Sequence, residues 1–295
     1  MNGPARRRSA IVLEAWANRA VAEDDDGRIV AFHLPRRMAR PLPGQTVELD
    51  ERDELTDVRP TRTRFGRGDP RGRFKPIAVD LDQALIVIAP KPAPSPDLIH
   101  RYLAACHLCD VAPIIVINKS DLPLPDQAPF DQLKELEALA YPIIRTRCRP
   151  DADIDDLAVV LTGKTTLIAG QSGVGKTSLV NELVPDLQAQ TGALSTVTGK
   201  GTHTTTSARL HQLPDRGWLI DTPGVWEYGL WSMSPAELVR GFPEFLAYRD
   251  RCRFRDCSHR QEPGCAVRAA AEAGELPECR YEAWLRLLSD QARLG

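Results

Sequence analysis

The chain has 295 residues, 42% of them hydrophobic and 26% charged, with a formal net charge of −2. That size suits two or three globular domains, and the composition excludes disordered, collagen-like and low-complexity classes. No apolar run reaches the ~18 residues of a membrane helix, and the arginines at 6–8 are followed by Glu14 and Arg19, not by the apolar core of a secretion signal. The seven cysteines, an odd number without a leader, argue against a disulfide framework and for a reducing cytoplasm.

Residues 10–58 read as short strands with turns: 11–13, 29–32 and 46–49 are β-rich, Asp26 and Gly27 mark a hairpin, and Pro41, Pro43 and Gly44 mark another turn. A small β-barrel is expected there. In 59–75, Arg59, Arg62, Arg64, Arg67, Arg71, Arg73 and Lys75 face one acid, Asp69, among three glycines. This stretch reads as a flexible basic linker able to neutralise phosphates.

From residue 77 the texture becomes α/β. The apolar runs 85–88, 114–117, 165–169 and 218–220 suit strands buried on both faces, and helical patterns occupy 97–109, 131–140, 154–162 and 176–184. Alternation of the two implies a doubly wound parallel sheet. Beyond Pro235 come helices, a Cys/His cluster and an amphipathic helix carrying Tyr281, Trp284, Leu285, Leu287 and Leu288. The predicted domains are 1–60 (barrel), 61–76 (linker), 77–230 (α/β) and 231–295 (helical, metal-binding).

The strongest motif is Gly170-Gln171-Ser172-Gly173-Val174-Gly175-Lys176-Thr177, which follows a strand and opens a helix that continues with Ser178. Glycines let such a loop wrap phosphates with backbone N–H groups; Lys176 would reach the β- and γ-phosphates and Thr177 would ligate magnesium. Asn118-Lys119-Ser120-Asp121 follows another strand. An aspartate there accepts from the ring N–H and exocyclic amine of guanine, donors that adenine lacks, so the nucleotide is GTP rather than ATP. Asn118 would hold the other edge of the base and the Lys119 stem would lie over its ring.

Asp221-Thr222-Pro223-Gly224 follows the strand at 218–220, with Asp221 expected to hold magnesium through water and the Gly224 N–H to sense the γ-phosphate. The threonine-rich stretch 202–206 lies between these phosphate motifs. Thr205, with Thr204 in reserve, is expected to complete the magnesium shell. The guanine motif precedes the phosphate loop, the reverse of the usual GTPase order. A circular permutation would leave the site intact, because domain termini commonly lie close together at the surface.

Cys252, Cys257, His259 and Cys265 stand within fourteen residues, the donor set of a closed tetrahedral zinc site with a structural role. Arg249, Arg251, Arg253, Arg255 and Arg260 surround it and suggest an RNA-facing patch. Cys106 and Cys109 read as a buried helix face.

The permuted order, the phosphate loop, the switch Gly201-Thr202-His203-Thr204-Thr205-Thr206 and the cysteine-histidine spacing together resemble the ribosome small-subunit-dependent GTPase A family of circularly permuted ribosome biogenesis GTPases. The resemblance covers nearly the whole chain. It implies an N-terminal OB-fold, a permuted GTPase domain and a C-terminal zinc domain, with GTP, Mg2+ and Zn2+ as cofactors. It also implies GTP hydrolysis stimulated by the small ribosomal subunit during late maturation and contact with rRNA; separately, nothing in the sequence demands a dimer, so a monomer is expected. The chain departs from the family in having Thr177 after the loop lysine, Thr202 before the switch histidine, and Thr146-Arg147-Cys148-Arg149 where a Ser-Ala pair backs the base.

Val225 stands where many GTPases carry a water-orienting glutamine. His203, which matches the family's switch histidine, is the candidate to orient or polarise the attacking water; binding rRNA is its alternative role. A GTP-dependent RNA-binding module without efficient catalysis is the competing function.

Overall fold

A computed structural model describes residues 7–184, 187, 208–222 and 228–294. The N-terminal strands are β1 (Arg8–Ala15), β2 (Arg19–Asp24), β3 (Ile29–His33), β4 (Thr46–Leu49) and β5 (Leu55–Val58). They form a curled, barrel-like antiparallel sheet in the order β3-β2-β1-β4-β5. Gly27, at φ 76°, turns β2 into β3. A bulge between Val12 and Glu14 breaks the alternation of β1. Ala15 therefore joins Ala10 and Val12 in the barrel's own core with Phe32 and Leu49, while Leu13, on the other face, joins the main core.

The basic stretch is not a flexible linker. It folds into an antiparallel hairpin, β6 (Arg64–Gly68) and β7 (Phe74–Val79). Packing decides this: Phe65 is buried and stacks on Tyr228, which stacks in turn on Tyr102 at 4.1 Å, and Phe74 meets Trp231 edge-on at 4.6 Å. The Gly68 N–H donates to the Gly229 carbonyl at 2.9 Å, tying the hairpin to the segment that follows the Asp221 motif. The arginines project from a fixed frame.

The following elements are β8 (Gln83–Ile88), α1 (Leu98–Leu108), β9 (Ala112–Ile117), α2 (Leu133–Ala138), β10 (Ile143–Arg145), α3 (Asp155–Leu161), β11 (Thr165–Gly170), α4 (Lys176–Leu183), β12 (Arg209–Gln212) and β13 (Trp218–Asp221). They build a six-stranded sheet ordered β10-β9-β8-β11-β13-β12, parallel except for β12. Successive residues of a strand point to opposite faces. Ile86, Ile88, Ile115 and Ile117 therefore pack with α1 and α2, while Leu85, Val87, Ile114 and Val116 pack with α3 and α4. This is the doubly wound arrangement expected of apolar runs.

The C-terminal part comprises α5 (Pro235–Leu238), α6 (Leu246–Arg249), α7 (Ala266–Glu272) and α8 (Glu278–Leu294). Ser234 and Glu237 form a reciprocal capping box that starts α5. The apolar stripe of α8 buries Trp284, Leu287 and Leu288 against the face of the sheet that carries α1. No helix among the described residues is long and apolar enough to cross a membrane.

Candidate nucleotide site and metal centre

From β8 the chain winds outward to β9 and β10, then returns to β8's other side as β11. Loops leaving the carboxyl ends of β8, β9, β11 and β13 thus converge at a topological switch point, the usual ligand crevice of such sheets. Sequence order is irrelevant to that convergence, so the permuted motifs meet in one place.

The loop 170–175 depends on its glycines. Gly170, at φ 146°, pairs with Val87, and a Cβ there would lie 2.2 Å from the Val87 carbonyl oxygen. Gly175, at φ 98°, would drive a Cβ to 2.3 Å from Asn118 Nδ2. The turn ends at the start of α4, where the N–H groups of Lys176, Thr177 and Ser178 have no intrahelical acceptor and favour an anion. Lys176 is buried and its ammonium donates to the carbonyls of Gly170 at 2.9 Å and Gln171 at 3.0 Å. Burial lowers its pKa, against the opposing pull of Asp221; burial raises that of Asp221, against Lys176. Each charge is thus partly desolvated and gains from a counter-charge. The Thr222 hydroxyl donates to the Ile168 carbonyl at 3.0 Å, fixing the chain just after Asp221.

Asn118 is buried at the end of β9. Its Nδ2 donates to the Val174 carbonyl at 2.9 Å and its Oδ1 accepts from the Thr146 hydroxyl at 3.2 Å. The guanine motif is thereby tied to the phosphate loop. Lys119 donates to the carbonyls of Lys91 at 2.7 Å and Gly173 at 2.8 Å, so its stem spans the loop. Asp121 is exposed, and its carboxylate makes no hydrogen bond or ion pair among the described residues.

His203, Thr204, Thr205, Gly224 and Val225 lie outside the described residues. Thr146 and the half-buried Cys148 just after β10, together with the loop between β8 and α1, belong to this site beyond the motif residues. Thr146 stands in the departure from the Ser-Ala pattern. Its signal was a threonine directly after the three-residue strand Ile143–Arg145, too short to be distinguished from a turn.

The second constellation is compact. The ligand atoms of Cys252, Cys257, His259 and Cys265 all lie within 4.8 Å of one another. His259 Nδ1 stands 3.6 Å from the sulfurs of both Cys252 and Cys265, which matches the edge of about 3.6 Å that tetrahedral Zn–N and Zn–S bonds would give. Glu262 accepts from the Ser258 N–H and hydroxyl and the Arg260 and Gln261 N–H groups, which hold its carboxyl at about 2 despite burial. From α8, the Tyr281 hydroxyl donates to the His259 carbonyl at 3.0 Å and Trp284 Nε1 to the Ser258 carbonyl at 3.1 Å. Cys106 and Cys109 are buried in the α1 region, with burial pushing both thiols up, as a core position requires.

The profile of the RsgA GTPase family matches residues 58–231. The chain belongs to the RsgA GTPase family. The small ribosomal subunit biogenesis GTPase RsgA of Chromohalobacter salexigens is 40% identical over 265 residues, covering 89% of this chain and 75% of that protein. The RsgA of Pseudomonas aeruginosa is 40% identical over 284 residues, covering 94% and 84%. Among solved structures, YjeQ from Thermotoga maritima superposes with a TM-score of 0.75 at 28% identity, covering 97% of this chain and 99% of that one. YloQ, a circularly permuted GTPase, gives 0.73 at 25% identity, covering 98% and 96%. The RsgA assignment agrees with the geometry: the described residues of motifs in permuted order gather at one crevice of the sheet.

Proposed function

We propose that this chain is a GTPase that binds the small ribosomal subunit and hydrolyses GTP during its late maturation, with turnover stimulated by the subunit. The observation that carries the reading is the bond from Asn118 to the Val174 carbonyl, which couples guanine recognition to the phosphate loop in a family whose curated members are named for small-subunit biogenesis. In this reading GTP lies over Lys119, its base on Asp121 and its phosphates on the loop 170–177. Magnesium would be held by Thr177, by Thr205 and, through water, by Asp221, and would neutralise phosphate charge. The Cys/His cluster would hold structural zinc, and the domains divide near 60 and 230.

The rRNA contact is supported by two surfaces. A cleft of about 840 Å³ between barrel and hairpin is rimmed by Arg40, Arg59, Arg64, Arg67 and Lys75. Beside the metal centre, exposed Phe254 lies under Arg253 and Tyr248 under Arg251 at 4.9 Å, cation-aromatic pairs of the kind that meet phosphates and bases. His203 orients or polarises the attacking water, since Val225 has no group that bonds water. The test is GTP hydrolysis with and without small ribosomal subunits at matched salt. Strong stimulation, lost in His203→Ala while GTP affinity holds, supports the proposal. Tight GTP binding without stimulation would leave an RNA-binding module instead.

A further inference from the structure

The connection from β8 to α1 runs Ala89-Pro90-Lys91-Pro92-Ala93-Pro94-Ser95-Pro96-Asp97, with proline at every second position. Each proline fixes its own φ and holds the residue before it out of the helical region, so the segment is a stiff strut rather than a hinge.

One end of the strut rests on the nucleotide site. The Lys91 carbonyl accepts from Lys119 and the Ala93 carbonyl from Gln171 Nε2 at 3.3 Å. The ring of Pro92 lies where a Cβ on Gly173 would meet it at 3.3 Å. The other end is Asp97, the residue before α1. An aspartate in that position ordinarily caps the helix. Asp97 makes no side-chain cap bond; its carboxylate accepts from Arg286 Nε of α8 at 2.6 Å. One turn later Arg101 pairs with Asp290, also on α8, at 2.5 Å. Helix α8 is the same element whose Tyr281 and Trp284 hold the carbonyls of the metal-binding loop. Unbroken contacts therefore run from the Cys/His cluster through α8 and the strut to the phosphate loop.

We propose that Arg286 and Arg101 are positioning residues for the nucleotide, and that a displacement of α8 changes nucleotide affinity by moving the strut. The proposal rests on the reading of 170–177 as the nucleotide site. A displacement of α8 carries Asp97, and the stiff strut carries the Lys91 and Ala93 carbonyls away from Lys119 and Gln171. By linkage, bound nucleotide must then bias the position of α8 by the same factor.

The experiment measures release of a fluorescent GDP analogue from the metal-loaded full chain. A half-exposed ion pair limits the effect, so Arg286→Gln is expected to speed release by about three- to fivefold, and Arg286→Gln with Arg101→Gln by about tenfold. The exchanged pair Asp97→Arg with Arg286→Asp restores the slow rate, which generic loosening would not do. In the unmodified chain, GDP raises hydrogen-exchange protection in 98–106 and in 281–290 together, a readout that survives if a variant misfolds. Wild-type release rates in both arginine variants, or no change in protection at α8, would overturn the coupling alone. An unmodified chain that binds no guanine nucleotide would instead overturn the nucleotide site.

Discussion

The hydroxyl of Thr146 donates to Asn118 Oδ1, and that bond decides which way the Asn118 amide points: Nδ2 is left to face the Val174 carbonyl. Both side chains are buried, so water does not replace a lost partner. Thr146→Val keeps the volume and removes the donor. GTP affinity is expected to fall by about tenfold, in line with 1–3 kcal/mol for an unsatisfied buried acceptor, and Thr146→Ser to recover most of it. Titration calorimetry of the three proteins checks this.

Asp121 offers an exposed carboxylate unengaged by any described residue. Asp121→Asn exchanges an acceptor for a donor. GTP binding should weaken by about 100-fold through the loss of two charge-assisted bonds. Xanthosine triphosphate, whose ring presents an acceptor there, should bind better to the variant than GTP does. Competition between the two triphosphates for the variant decides the matter, and unchanged GTP preference would remove Asp121 from base recognition.

Metal removal should act on α8. The loop bearing Ser258 and His259 is tied to Trp284 and Tyr281, so an unliganded cluster of three buried or half-buried thiols loosens that anchorage. Cys265→Ser, or a strong zinc chelator, is expected to release about one equivalent of zinc and to lower the melting temperature. Metal analysis beside a melting curve tests both, and a protein purified without metal and equally stable would contradict the closed-site reading.

His100 is buried in α1 between Arg280 and Gln132. Its Nδ1 accepts from Arg280 Nη1 at 3.2 Å and its Nε2 meets Gln132 Oε1 at 2.9 Å. Since arginine only donates, the ring is neutral with its proton on Nε2. Burial, then Arg280, push its pKa down to about 3 from the ordinary value of 6.5. The unfolded chain binds the proton first, so stability is complete above the unfolded value and is lost as pH falls through the window from about 6.5 to about 3. His211, pushed down to about 4 by burial, adds to the same acid loss. His100→Gln retains a donor and an acceptor without titrating, and its stability should fall less steeply between pH 6 and pH 4 in denaturant titrations.

Local chemistry made much of this protein legible. Apolar runs of strand length at 85–88 and 114–117 announced a sheet covered on both faces, because only buried strands can omit polar alternation. Glycines at 170, 173 and 175 announced a wrapped loop, because positive φ is expensive for any other residue. The Cys/His spacing announced one cluster of candidate metal ligands, since they lie within a single short loop. The strands β2 and β5 were not legible: their alternation is interrupted by buried Asp24 and exposed Asp57.

Tertiary structure alone decided the rest. The basic stretch at 59–75 has the composition of a solvated linker, and becomes a hairpin only because Phe65 and Phe74 find Tyr228 and Trp231 far along the chain. Thr146 meets Asn118 only because β10 lies beside β9, and Asp97 meets Arg286 only because α8 folds back across α1. The sequence by itself determined the residues that must bend, bury or bind, since those demands are local. Which of them meet was decided by the packing of distant elements, whose free energy belongs to pairs that no single segment contains.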